Sequence, residues 1–359
     1  MRLQSEKTDK QLLARAIKGV MASGTSRPVV QLDSSDLGIE LVGGKGVNIA
    51  KMISNGFNVP PAFAATVDAY EMFLDRNDLR SRIAEILEQT DFDDDASLNA
   101  SSEKIRGMFL HADIGDDELV DLKKARGELV GEYFAVRSSA VAEDLADASF
   151  AGQQDTYLNV QRHEVVQMIL TCWASYWNAR AMKYRHDASK GHLSSGMAVV
   201  VQKMVKSEIS GVMFTADPVT GADNVVIEAS WGLGESIVSG LVTPDSYILD
   251  KNTLSVKEAN INVKEQGYYL VDGRDQLIKL PEEKAKARCA DDSILRAIAE
   301  QGLALEKHFG CLGVVFSYET EDSEVAALAQ GEGLEVHTCL AQDGGHLSDA
   351  SHGIVQKYA

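Results

Sequence analysis

The chain has 359 residues, 45% of them hydrophobic and 25% charged, with a formal net charge of -19. That length holds two domains or one large domain with two lobes, and the composition is that of an ordinary folded protein, not a disordered one. The acidity repels phosphate backbones at long range, which argues against a nucleic-acid partner and obliges any nucleotide site to carry local cations or Mg²⁺.

In chain order, residues 34–44 lead through a glycine turn into a helix over 47–55, which Gly56 and Pro60-Pro61 terminate. Helical periodicity recurs over 67–74, 79–88, 103–111 and 117–131, and the acidic run at 91–95 reads as a solvated loop. A longer helix is predicted over 164–186, where Ile169, Trp173, Trp177 and Ala181 recur every fourth residue and form a core-facing stripe. The character then changes. Residues 197–205, 211–215, 224–230 and 246–250 are short β-rich runs bounded by turn residues, the pattern of an antiparallel sheet. A last helix spans about 292–309. The reading is an α/β (α+β) chain with a first lobe over 1–195, a second over 196–310 and a tail over 311–359.

The four cysteines, Cys172, Cys289, Cys311 and Cys339, form no Cys-x-x-Cys pair, which fits a reducing compartment without structural zinc. The charged N-terminal residues do not read as a secretory signal, and no run approaches the roughly 18 apolar residues of a membrane helix. The expected location is cytoplasmic, with no membrane partner.

Three stretches carry chemistry. In Val42-Gly-Gly-Lys-Gly46, glycines let the backbone fold around an oxyanion at the start of a helix, and Lys45 adds a point charge. The spacing is not that of a Walker loop, because Gly46 stands where a hydroxyl would bind Mg²⁺. A surface turn with a solvated lysine is the alternative. In the stretch from Phe134 to Val160, Arg137 lies beside Ser138 and Ser139, ahead of an acidic turn and a loop containing Gly152. A guanidinium can grip a phosphate bidentately and the glycine admits backbone N–H groups to an anion. The alternative is a structural Arg137 paired with Glu143 or Asp144. In Val201-Gln-Lys-Met-Val205, a strand edge can read adenine through backbone groups while Met204 sandwiches the ring; an ordinary core strand is the alternative.

Taken as strings, these stretches resemble the nucleotide-binding domain of the family of phosphoenolpyruvate synthase, pyruvate phosphate dikinase and rifampicin phosphotransferase. So do residues 210–221, 227–240 and Thr243-Pro-Asp-Ser-Tyr247. The resemblance runs from about Gly43 to the His308-Phe-Gly310 segment. It implies an ATP-grasp fold, with ATP and Mg²⁺ as cofactors between two lobes. It also implies that Lys45 and Arg137 are catalytic phosphate contacts, that Gly152 and Thr156 form a lid over the phosphates, and that Gln202 and Met204 hold the base. Glu228 and Glu235 are placed to influence a metal or the lid, or to serve structural roles.

After His308-Phe-Gly310 the family pattern is an Asp-hydrophobic-Glu-Trp strand whose Glu binds Mg²⁺, then a Gln-x-Arg-Pro strand. Here the chain reads Cys311-Leu-Gly-Val-Val-Phe-Ser-Tyr-Glu319, so Phe316 falls near the metal-binding position and the source of the metal ligand stays open. Glu319, Glu321 and Asp322 are the carboxylates a shifted alignment offers. His352 faintly echoes the family's phosphoryl carrier but has no domain around it. The resemblance therefore implies a site completed by a histidine-bearing swivelling-domain subunit that serves a small-molecule acceptor, the arrangement of phenylphosphate synthase. A fragment of a complete synthase and a non-catalytic nucleotide-binding module are the rival readings.

Overall fold

The computed structural model describes residues 26–140, 156–188, 191–238, 240–271, 273–318 and 334–341. The first half runs β1 (Val29–Gln31), α1 (Ile39–Ser54), β2 (Ala62–Ala65), α2 (Val67–Arg76), α3 (Leu79–Glu88), α4 (Asp95–His111) and α5 (Asp116–Glu128). It continues with β3 (Tyr133–Ala140), β4 (Thr156–Gln161), α6 (Val165–Ser175), α7 (Ala179–Asp187) and β5 (Met197–Lys203). Next come β6 (Ile209–Phe214), β7 (Asn224–Trp231), α8 (Glu235–Val238), β8 (Asp245–Asp250) and β9 (Val256–Asn260). The remainder is β10 (Gln266–Val271), β11 (Arg274–Lys279), α9 (Glu282–Lys286), α10 (Asp292–Phe309), β12 (Cys311–Tyr318) and β13 (Leu334–Ala341).

The strands form a five-stranded sheet, β1-β2-β5-β3-β4, and a six-stranded sheet, β13-β12-β6-β7-β8-β9. Every pairing within them is antiparallel. Strand β5, grouped with the second lobe on its β-rich character, is the central strand of the first sheet, between β2 and β3. Its apolar run says that it is a buried strand, but not which neighbours it takes, because those lie more than about 55 residues away. The chain therefore crosses between the sheets through residues 204–208.

The alternation of β3 and β5 sorts side chains between two cores. Phe134, Val136, Val199 and Val201 face a core built with Phe73, Phe109, Trp173 and Trp177. On the opposite face Ala64 and Val200 pack beneath α1 residues Ile49 and Met52 in a core that also takes in Leu305 of α10 and Val314 of β12. Helix α1 thus joins the two halves. The second sheet buries Met213, Ile227, Tyr247 and Phe316 against Leu295 and Ile298 of α10.

Two helices differ from the periodicity reading. The predicted helix over 164–186 is broken at residues 176–178 into α6 and α7, although Trp173 and Trp177 are buried as the stripe predicts. Part of the acidic run is also structured: Asp94 caps α4 by accepting from the N–H groups of Ala96 and Ser97.

Candidate nucleotide site

The glycine turn is fixed by contact with β3. Gly43 lies inside α1 with φ 68° and ψ 176°, a conformation essentially reserved for glycine. A Cβ there would stand 2.1 Å from the backbone oxygen of Ser139. The Ser139 hydroxyl donates to the Val42 carbonyl (2.8 Å) and accepts from the Gly46 N–H (3.2 Å). Ser139 is therefore a docking residue for the turn, and Ser138 is buried on the other face. Neither hydroxyl is offered to a phosphate.

This docking sets Lys45, half-buried on α1, beside the strand that carries Arg137. Arg137 is half-buried two residues before Ser139, and it pairs with Thr156 of β4 on one side and Val200 of β5 on the other. Thr156 is exposed. Arg137 and Thr156 are thus neighbours across β3 and β4, and the helix that carries Lys45 packs on β3 and β5. Gly152 lies outside the described residues.

Gln202 lies two residues further along β5, opposite Ala135. Its side chain is 0% exposed and donates through Nε2 to the Pro60 carbonyl at 3.1 Å. The side chain is thereby turned into the protein at the end of the strand. Met204 follows, its N–H donating to the Tyr133 carbonyl at 3.0 Å. Here a cavity of about 680 Å³ opens, lined by Tyr133 and Asn159 of the first sheet, by residues 203–208 of the crossing segment, and by Leu233, Tyr269, Leu270 and Lys284. Met204 lines this cavity; Lys45, Arg137, Thr156 and Gln202 do not. From Arg137 to Tyr133 is four residues of β3, about 13 Å at 3.3 Å per residue.

Glu132 and Glu208 also line the cavity, whereas Glu319, Glu321 and Asp322 lie outside the described residues. Glu228, on β7, is half-buried, and burial pushes its carboxyl above the ordinary glutamate range; Glu235 is exposed. No group of three or more His, Cys, Asp or Glu suited to a metal occurs among the described residues. Phe316 is 1% exposed, and its ring fills the space a Cβ on Gly211 would need, 2.7 Å from the ring's Cζ.

One part of the site went unread in the sequence. The hairpin β10–β11 forms a two-stranded sheet of its own and supplies Tyr269 and Leu270 to the cavity. The Asp272-Gly273 pair between two β-rich runs is the local signal that marks it.

Residues 39–328 match the family described as pyruvate phosphate dikinase, AMP/ATP-binding domain. The chain belongs to that family. It is 39% identical over 295 residues to a probable phosphoenolpyruvate synthase of Methanocaldococcus jannaschii, covering 79% of this chain and 25% of the relative. It is 37% identical over 338 residues to the phosphoenolpyruvate synthase of Pyrococcus furiosus, covering 80% and 41%. With the phosphoenolpyruvate synthase of Aeropyrum pernix the identity is 45% over 269 residues, covering 71% and 33%. In these three comparisons the chain spans between a quarter and about two fifths of the relative's length. Among the described residues no helix is long and apolar enough to cross a membrane.

Proposed function

We propose that the chain is the ATP-binding component of a dikinase-type phosphotransferase, with the nucleotide held between two lobes in the ATP-grasp manner. The observation that carries this reading is the line-up along β3. The glycine turn docks on Ser139, Arg137 lies mid-strand, and the cavity opens at Tyr133 and Met204, about 13 Å along the strand from Arg137, a spacing suited to an extended nucleoside triphosphate. The base enters the cavity against Met204. Lys45 and Arg137 meet the phosphates and neutralise the charge that spreads over phosphoryl oxygens in the transition state. Thr156, with Gly152 beyond the described residues, closes over them. Because Gln202 donates to Pro60, its role toward the base is to fix the strand end from which Met204 projects.

The overall reaction proposed is cleavage of ATP to AMP and phosphate, with the β-phosphoryl passed to a histidine on a separate swivelling subunit and then to an acceptor such as phenol. Mg²⁺ would neutralise phosphate charge when bound with the nucleotide; it commonly uses only one or two carboxylates beside the phosphates, and no step here is assigned to it. The test is incubation of labelled ATP and Mg²⁺ with the purified chain, with and without the histidine-bearing protein. AMP formed only with that protein supports a split dikinase. Arg137→Ala should lower turnover of the assembled system by about 10²–10³-fold, as for loss of a transition-state charge clamp, while leaving the melting temperature unchanged. Undiminished turnover would refute its role.

A second reading has its own observation. The core position of Phe316, near where the resemblance implies a metal-binding Glu, favours a nucleotide-binding module without catalysis. Tight ATP binding with no AMP under either condition would select it.

A further inference from the structure

Isolated two-stranded hairpins are marginal in water, so what holds β10–β11 in place matters. At its base, Leu233 N–H donates to the Tyr268 carbonyl at 2.7 Å. That contact is close enough that a Cβ on Gly232 would stand 2.3 Å from the same oxygen. This end is fastened to the second half of the chain. The other end rests on the first half. Asn159 Nδ2 of β4 donates to the Asp275 carboxylate. Gly273, at φ 74°, lies where a Cβ would be 3.2 Å from Gln161 Nε2.

Asn159 is itself unusual. It has φ 50° in an edge strand, beside a register irregularity in the β3–β4 pairing. Such irregularities re-aim a side chain out of the ladder. Asp275 is partly desolvated by the contact, and burial raises its carboxyl above the usual aspartate range. Between the hairpin's two anchors lies the cavity, with Tyr269 and Leu270 as its wall.

We propose that the β10–β11 hairpin is a strap across the base cavity, and that the Asn159–Asp275 hydrogen bond is its latch, setting how fast a bound purine nucleotide leaves. This rests on reading the cavity as the base site. The strap starts in one half and ends on the other, so widening the cavity requires its tip to leave β4. A bound base is then covered by Tyr269 and Leu270. Asn159 and Asp275 act through the hairpin as positioning residues.

The experiment is stopped-flow binding and release of a fluorescent ribose-labelled ATP on the full chain, with calorimetric titration of unlabelled ATP. Asn159→Gly suits the positive φ and removes only the side chain. Asp275→Ala removes the acceptor, and Asp275→Asn keeps a carbonyl oxygen there. The expected result is release about tenfold faster for Asn159→Gly and for Asp275→Ala, the scale of one charge-assisted hydrogen bond. Association should change less, the double variant should be no faster than either single, and Asp275→Asn, which keeps an acceptor but loses the charge, should fall between the parent and Asp275→Ala. Unchanged release in both single variants, with ATP still bound by the parent, overturns the strap alone. Failure of the parent chain to bind ATP in either assay overturns the base-site reading and the strap with it.

Discussion

Replacing Gly43 by alanine tests the glycine turn and its docking together. Holding the native conformation would force a non-glycine residue to φ 68°, ψ 176°, which costs about 1–3 kcal/mol. It would also press the methyl against Ser139, with the backbone oxygen at 2.1 Å and Oγ at 2.4 Å. Overpacking of this kind adds about 1–3 kcal/mol. The turn has a cheaper escape. Undocking from β3 forfeits the two hydrogen bonds of the Ser139 hydroxyl, each about 1 kcal/mol. The smaller cost governs, so the variant should undock at about 2 kcal/mol. A nucleotide that needs the docked turn must then repay the gap between the strained docked form, about 4 kcal/mol at mid-range, and the undocked one at about 2 kcal/mol, which weakens ATP binding about 30-fold at 1.4 kcal/mol per decade. Calorimetric titration of ATP measures this, and urea unfolding measures the stability loss. Ser139→Ala removes the same two bonds without backbone strain; docked and undocked turns then have similar energies, so its stability loss should match that of Gly43→Ala while ATP weakens only about twofold. In urea unfolding the double variant should be little worse than Gly43→Ala alone, because both act on one docking event. ATP affinity within threefold of the parent for Gly43→Ala would refute the coupling of this turn to the nucleotide.

Two further outcomes concern charge in the second half. Asp245 and Lys264 form an ion pair with both side chains 0% exposed, and Asp245 also accepts from Asn262 N–H, Cys289 N–H and Tyr247 OH. Lys264→Met leaves that carboxylate buried without its cation and should cost about 3–5 kcal/mol in urea unfolding; a loss below about 1 kcal/mol would contradict this. Glu228 is raised from its ordinary 4.5 by burial. A raised acid gives stability that is complete below the unfolded value and is lost as pH rises through the folded one. Glu228→Gln should therefore lessen the fall in melting temperature between about pH 5 and about pH 8. An unchanged pH dependence would show that the carboxylate is relieved by solvent.

Local patterns carried much of the fold, and non-local pairing did not. Trp173 and Trp177 announce their core face because i, i+4 spacing is a property of one helix, but the break at residues 176–178 follows from packing that the periodicity does not encode. Val199 and Val201 mark β5 as buried, yet its partners Ala64 and Val136 are distant in sequence. Lys45 and Arg137 were legible as phosphate-site candidates from glycine, lysine and arginine chemistry. The docking of Gly43 on Ser139 was not, because a hydroxyl beside an arginine reads equally well as a ligand contact. Gln202 shows how little polarity alone says: it suggests a base contact, and the structure adds that Nε2 donates to the Pro60 carbonyl while the buried Oε1 has no hydrogen-bond partner among the described residues.

The resemblance read from the sequence ends near Gly310, but the family match runs on through Phe316 to residue 328; whether position 316 could carry a metal-binding carboxylate can be judged from its surroundings. Strand β12 pairs Phe316 with Gly211, and the ring occupies the room left by that glycine's missing side chain. The ring belongs to the second core with Leu295 and Ile298. Phe316→Glu would therefore insert a carboxylate among apolar side chains instead of presenting it to a nucleotide. Loss of the buried ring alone costs about 3–5 kcal/mol, and a carboxyl without a buried partner would stay protonated or unfold its surroundings. The expected outcome is a lower unfolding midpoint and no gain in Mg²⁺-dependent AMP formation with the histidine-bearing protein. A variant that keeps its stability and gains such activity would mean that position 316 faces the nucleotide, and the assigned packing of β12 against α10 would have to be abandoned.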